Sequence, residues 1–152
     1  MNNSPTFPDE KLLIKRPCLT VSDLKRSLGV YQDILGFQLI YQSQADEDSY
    51  LYSVLNLPKE AKLTFAALSN PSNMRALALT EVKGIELILP NVYNCALVIE
   101  VSDIELKIEK LKQLNLDVIK PNYFTTQNNL SFREQAFSDY DGHRIMLYEN
   151  LT

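Results

Sequence analysis

The chain has 152 residues, 45% of them hydrophobic and 22% charged, and a formal net charge of −4. That length and balance suit one globular domain with a real core, and the 15 basic residues scattered among 19 acidic ones leave no cationic face for nucleic-acid phosphates. No apolar run is long enough to span a bilayer, and residues 1–8 carry no basic and then apolar leader. The expected location is therefore cytoplasmic, with neither nucleic acid nor membrane as a partner.

In chain order, residues 1–11 are read as a flexible N-terminus and 12–152 as one domain. A first strand is expected over 12–21, with Pro17 at an edge or bulge because it has no N–H to give. Asp23 then suits an N-cap, since its carboxylate accepts from free N–H groups of a first helical turn. Leu24, Leu28, Tyr31 and Leu35 fall on one helical face, and Gly36 supplies the left-handed residue that ends the helix. Next come a strand over 37–43, an acidic turn over 44–49, a short helix over 50–55 and strands over 62–68 and 74–82. Residues 85–94 are apolar but bounded by Gly and Pro, and fit either a short strand or an extended connector.

From Cys95 the opening pattern recurs. Asp103 stands where Asp23 stood, Ile104, Ile108 and Leu111 form the helical stripe, and Asn115 takes the role of Gly36. The two offsets, Asp23 to Asp103 and Gly36 to Asn115, are nearly equal, so the repeat runs through both helices. Strands are expected over 117–120, 130–138 and 143–149, with a polar loop over 121–129. Cys18 and Cys95 have no metal-type spacing and are read as buried, reduced thiols.

Strand alternation separates two faces. Leu19 and Val21, then Leu97, Ile99 and Val101, then Ile145 and Leu147, form a uniformly aliphatic set suited to burial under two amphipathic helices. The opposite set is mixed: Arg16, Cys18 and Thr20; Ala96, Val98 and Glu100; Arg144, Met146 and Tyr148. Such a face either lines a ligand cavity or meets water.

Val21, Asp23, Leu24, Ser27, Tyr31, Leu35, Gly36 and Phe37 match a V-x-D-L-x-x-S-x-x-F-Y-x-x-x-L-G-F run, with Val30 where Phe is usual. The chain thereby resembles the vicinal oxygen chelate superfamily of glyoxalases, bleomycin-resistance proteins and extradiol dioxygenases. The resemblance implies an α+β fold of two tandem βαβββ modules, over 12–90 and 95–150. They would form a cup-shaped mixed sheet with helices on the convex side and a ligand cavity between the halves. It also implies a homodimer, as in many relatives.

In metal-dependent relatives, four side chains from the first and last strands of each half hold a divalent ion. The matching positions here are Arg16, Ala96 and Met146, the last where D-P-D-G-H-x-I-E-L has its glutamate, and one acidic residue, Glu81, with Glu86 in reserve. An arginine, an alanine and a methionine give no hard donor, so no cofactor is expected, and a divalent metal is an alternative that these three positions disfavour. His143 lies in the Asp-Gly-His turn and is read as a turn residue rather than a ligand.

Three functions remain open. The first is a metal-free binding protein of the bleomycin-resistance type, taking a small apolar or anionic ligand in a cup lined by Arg16, Cys18, Glu81, Val98, Met146 and Tyr148, with Phe65 or Phe132. Arg16 would fix an anionic end and pair with Glu81. The second is a lyase or isomerase with Glu81 as the catalytic base for proton abstraction next to a carbonyl. The third is an interaction module with a vestigial cavity.

Overall fold

The computed structural model describes residues 4–8 and 11–152. The expected flexible stretch 1–11 thus lies partly outside the described residues. Eight strands form two four-stranded sheets. The first contains β1 (Cys18–Val21), β2 (Gln38–Gln44), β3 (Lys62–Ser69) and β4 (Leu77–Lys83) in the order β1-β4-β3-β2. The second contains β5 (Ala96–Glu100), β6 (Asn122–Thr125), β7 (Ser131–Ser138) and β8 (Arg144–Asn150) in the order β5-β8-β7-β6. In each sheet the first strand lies parallel to the last, and the other pairs are antiparallel. Two modules of one plan follow, as the repeat requires.

Helix α1 (Leu24–Leu28) begins where two carboxylates meet its free N–H groups. Asp23 Oδ1 accepts from Arg26 N at 3.0 Å, and Glu81 Oε2 from Leu24 N at 2.7 Å. The helix then widens into a π-helical turn, Gly29–Ile34, in which Leu35 N donates to the Val30 carbonyl. Gly36, at φ +93°, ends it as expected. Helix α3 (Ile104–Gln113) is capped differently from the expectation. Asp103 sits at φ 52° and its side chain caps nothing; Glu149 accepts from both Asp103 N and Ile104 N, at 2.8 and 3.1 Å. Asn115, at φ 59°, takes the left-handed role after it.

The aliphatic faces behave as the alternation demands. Val21, Leu24, Val30, Leu77 and Leu79 share one apolar cluster with Ile104, Ile108, Leu111, Ile145 and Leu147, all buried. Each such side chain contributes roughly 1.5–3 kcal/mol by leaving water. Because one core serves both modules, the two sheets turn their helix-bearing faces towards each other and their other faces away.

A polar clasp sets the modules in register. The Tyr31 hydroxyl, fully buried, donates to Asp139 Oδ2 at 2.6 Å, while Asp139 Oδ1 accepts from the N–H groups of Asp141 and His143. Asp141 Oδ1 accepts from Ser22 N at 3.0 Å, and His143 Nε2 lies 2.6 Å from the Thr20 carbonyl, to which it donates. Arg26 stacks on the Tyr140 ring at 4.4 Å. Burial first, then the Asp139 and Asp141 charges, hold the Tyr31 hydroxyl well above the ordinary tyrosine range, so it stays a donor. Gly142 closes the turn at φ +80°, where a Cβ would lie 2.8 Å from Pro90 Cδ.

Several expected boundaries move, each for a physical reason. The first strand starts only at Cys18, because residues 12–14 lie exposed and Pro17 has no N–H to pair. The strand expected from 74 starts at Leu77, after Arg75 has turned the chain at φ 54°. Residues 85–94 form a connector. In the second module, 117–120 makes only an isolated bridge, Val118 to Phe137, and the edge strand β6 arises inside the stretch read as a polar loop. Its residues are all exposed, so no apolar alternation betrays it. Cys18 and Cys95 are free thiols but exposed rather than buried.

Candidate functional site

The faces turned away from the shared core are the candidate site. On the first sheet, Cys18 and Thr80 touch across β1 and β4, Sγ to Oγ1 at 3.6 Å, and the register puts Ala67, Ala78 and Phe65 on the same face. One end of this face is closed. The short helix α2 (Leu51–Val54) lays Tyr52 and its neighbours over Leu63 and Val82, making a second small core with Ala61. The Tyr52 hydroxyl donates to the Ala61 carbonyl at 2.8 Å and locks that lid down.

The second sheet carries no such cover. Alternation along β8 puts Arg144, Met146 and Tyr148 on the open face, with Val98 beside Met146 and Ala136 across from it. Phe124 and Phe132 stack at 5.3 Å between centroids, and Phe132 meets Tyr148 at 6.2 Å, giving an aromatic strip at one end. Val98 and Phe124 are 51% and 41% exposed, apolar surface that water has not been kept from. The Tyr148 hydroxyl donates to Glu100 Oε2 at 3.2 Å; desolvation, then the Glu100 charge, raises its pKa. At the other end the Arg144 guanidinium lies 4.3 Å from the centroid of the Tyr93 ring, and Tyr93 Oη is 2.8 Å from Ser138 Oγ.

Of the residues singled out from sequence, Val98, Met146 and Tyr148 come together on this face. Cys18 lies on the open face of the other sheet. Arg16, half-buried at the entrance to β1, lines a cleft of about 930 Å³ between the modules, together with Val98, Glu100 and Phe37. The expected Arg16–Glu81 pair is not made. Glu81 faces the helix, where its carboxylate accepts from Leu24 N at 2.7 Å and lies 4.0 Å from Lys83 Nζ. Glu86 is exposed on the connector, on no strand. His143 is a turn residue, as read, and its imidazole ties the modules together.

Glu81 and Glu149 prove to be equivalents, each in the last strand of its module and each capping that module's helix. Aligning them equates Ala-Leu-Ala-Leu-Thr-Glu of β4 with Arg-Ile-Met-Leu-Tyr-Glu of β8. Ala78, paired with Cys18, therefore corresponds to Met146, paired with Val98. The signal lies in the sequence: the repeat continues past the helices into the last strand of each module.

A family model described as the glyoxalase/bleomycin resistance protein/dioxygenase superfamily matches residues 13–147. The chain belongs to that superfamily. No curated protein matches the sequence. Among solved structures, a glyoxalase family protein from Bacillus cereus is similar at 18% identity and TM-score 0.74, over 97% of this chain and 100% of that one. An antibiotic-binding protein from a Streptomyces species is similar at 16% identity and TM-score 0.58, over 93% and 98%. A fosfomycin resistance protein from Listeria monocytogenes is similar at 19% identity and TM-score 0.54, over 91% and 93%. At such identities these likenesses establish the fold, the two-module plan of the superfamily.

The divalent ion that the superfamily implies does not fit the residues present. The four positions are Arg16, Ala78, Ala96 and Met146, which offer a fixed cation, two methyl groups and a soft thioether. Among the described residues no three His, Cys, Asp or Glu side chains gather into a metal-binding group. No helix among them is long and apolar enough to cross a membrane.

Proposed function

We propose that this chain is a cytoplasmic small-molecule binding protein of the glyoxalase and bleomycin-resistance type, which holds a small apolar or anionic ligand without a catalytic metal. The observation that carries the reading is the uncovered face of the second sheet, where Met146 and Tyr148 continue an aromatic strip begun by Phe124 and Phe132. Apolar and aromatic walls with a few placed polar groups are what such ligands require. Arg16, in the cleft beside Val98, is available to an anionic group because it makes no ion pair among the described residues.

The ligand-binding set in this reading is Arg16, Cys18, Val98, Met146 and Tyr148. Glu81 leaves it, and with it goes the support for proton abstraction: a base whose oxygen already accepts a backbone N–H on the far side of the sheet does not reach a substrate in the cup.

The reading includes a homodimer. β1 and β5 are free edges of their sheets, and the open faces point away from the shared core. A second copy would set the open face of one module opposite that of the other, and would cover edges that otherwise invite mispairing.

The experiment is a thermal-shift screen of small aromatic acids and neutral aromatic compounds, with light scattering to fix the mass. A compound that raises Tm in wild type and not in Met146→Glu, on a particle of twice the monomer mass, is the expected result. Stoichiometric retention of Zn, Ni, Mn or Fe(II) after loading and desalting, with no compound stabilising the protein, would overturn it.

A further inference from the structure

We propose that Arg144 is the anion anchor of the second module's open face. The ligand there is a flat aromatic molecule two or three rings long, bearing an oxyanion at one end. This rests on the binding reading above and sharpens it to a ligand class and a pose.

Arg144 carries an unmet hydrogen-bonding demand. Nη1 of Arg144 is buried and has no hydrogen-bond partner among the described residues, and the side chain forms no ion pair there. A guanidinium carries five N–H donors and full charge, so a buried one left unpaired is costly unless something supplies an acceptor. Tyr93 does not supply it. Its ring takes the face of the guanidinium at 4.3 Å, and its hydroxyl is engaged with Ser138. Stacking uses the π-face and leaves the N–H edge free.

That arrangement also fixes the group. Most surface arginines sample many rotamers; this one is held between a strand and an aromatic lid, so little entropy is lost when its fork meets a carboxylate, phosphonate or sulfonate. Tyr93 is itself placed by the connector, whose Leu89 and Pro90 pack against Gly142 at the start of β8.

The rest of the face sets the ligand's shape and direction. Met146 lies two residues along the same face and Tyr148 four, so the aromatic strip begins about 13 Å from the anchor. Acidic groups cluster at that far end: Glu100 accepts from Tyr148, and Glu134 pairs in register with Tyr148 and accepts from Asn122 Nδ2. An anion is therefore drawn to Arg144 and repelled from Tyr148, which allows one orientation only.

The test uses two fluorescent probes with one aromatic body, anilinonaphthalene sulfonate and its uncharged parent phenylnaphthylamine, titrated into the full chain. Wild type is expected to bind both. Arg144→Gln should weaken the sulfonate about tenfold or more, as loss of a charge-assisted hydrogen bond implies, and leave the parent within about twofold. Arg16→Gln is titrated beside it as the competing anchor and should cost the sulfonate less than Arg144→Gln does, while Lys112→Gln, exposed on α3, should leave both probes unchanged. Near-UV circular dichroism confirms folding, and if Arg144→Gln does not fold, Arg144→Lys serves, with a severalfold loss confined to the sulfonate because the fork is gone. Equal sulfonate affinity in wild type and the Arg144 variants, or a loss that follows Arg16 instead, would overturn the anchor while the binding reading stands. Failure of both probes to bind wild type would remove the binding reading and the anchor together.

Discussion

The two modules share a plan and differ in what lies on their outward faces. The first fills its face with small side chains, Ala67, Ala78 and Thr80, and closes one end with α2, so that Leu63 and Val82 are as buried as the main core. The second leaves Val98, Phe124, Met146 and Tyr148 without a cover of its own chain and puts an arginine at one end. On the helix side, by contrast, both modules keep a last-strand glutamate on the first N–H groups of the helix, although Asp23 also caps α1 and Asp103 does not cap α3. Both modules keep the helix side that the shared core needs, while their outward faces differ: one is partly covered by its own chain, and the other is the open face on which the proposed ligand would lie.

The strongest way to break that comparison is to truncate one side chain on each outward face. Leu63→Ala, beneath α2, should cost about 2–4 kcal/mol of unfolding free energy in urea, the cost of a core cavity. Met146→Ala, half-exposed on the other face, should cost under about 1 kcal/mol. Equal losses would mean that the second face is as much a core as the first.

Next in size is the clasp between the modules. Tyr31→Phe leaves Asp139 Oδ2 buried without its donor and should lower stability by about 1–3 kcal/mol, with both modules still unfolding in one transition. Because the folded tyrosine holds its proton more tightly than the unfolded one, the wild-type contribution is complete below about pH 10. It is lost as the pH rises beyond that, a loss that alkaline denaturation of Tyr31→Phe should not show.

The helix side should respond symmetrically. Glu81→Gln and Glu149→Gln each weaken a carboxylate cap, and each should cost about 0.5–2 kcal/mol by urea denaturation without changing probe binding. A loss of binding with Glu81→Gln alone would return that residue to the cup.

The smallest effect is expected in acid. The Arg26 N–H lowers the Asp23 pKa, and the Arg133 guanidinium, through its hydrogen bond, lowers that of Glu105. Both carboxylates are more acidic folded than unfolded, so their contribution is present above about pH 4 and fades as the pH falls below it. Asp23→Asn and Glu105→Gln should therefore be slightly less stable than wild type at neutral pH and converge with it in acid, which flattens the acid limb of the stability curve.

Two modules and their helix-bearing faces are legible in the amino-acid sequence. A 3.6-residue stripe and a period-2 alternation are local patterns, and the duplication repeated them with Gly36 and Asn115 as matched stops. Residue chemistry needs no coordinates, so Arg16, Ala96 and Met146 are without a hard donor on the sequence alone; Glu81, the acidic residue expected at the fourth position, is not. Which face each polar side chain serves, by contrast, follows from strand pairing and loop placement, which no local pattern fixes. Glu81 is a carboxylate near the expected place, but one residue along a strand reverses the face, and only the pairing of β1 with β4 shows it turned to the helix. The same holds for Arg144. Alternation put it on the mixed face, yet Tyr93 comes from a connector without regular structure, and no local pattern tells where such a segment will lie.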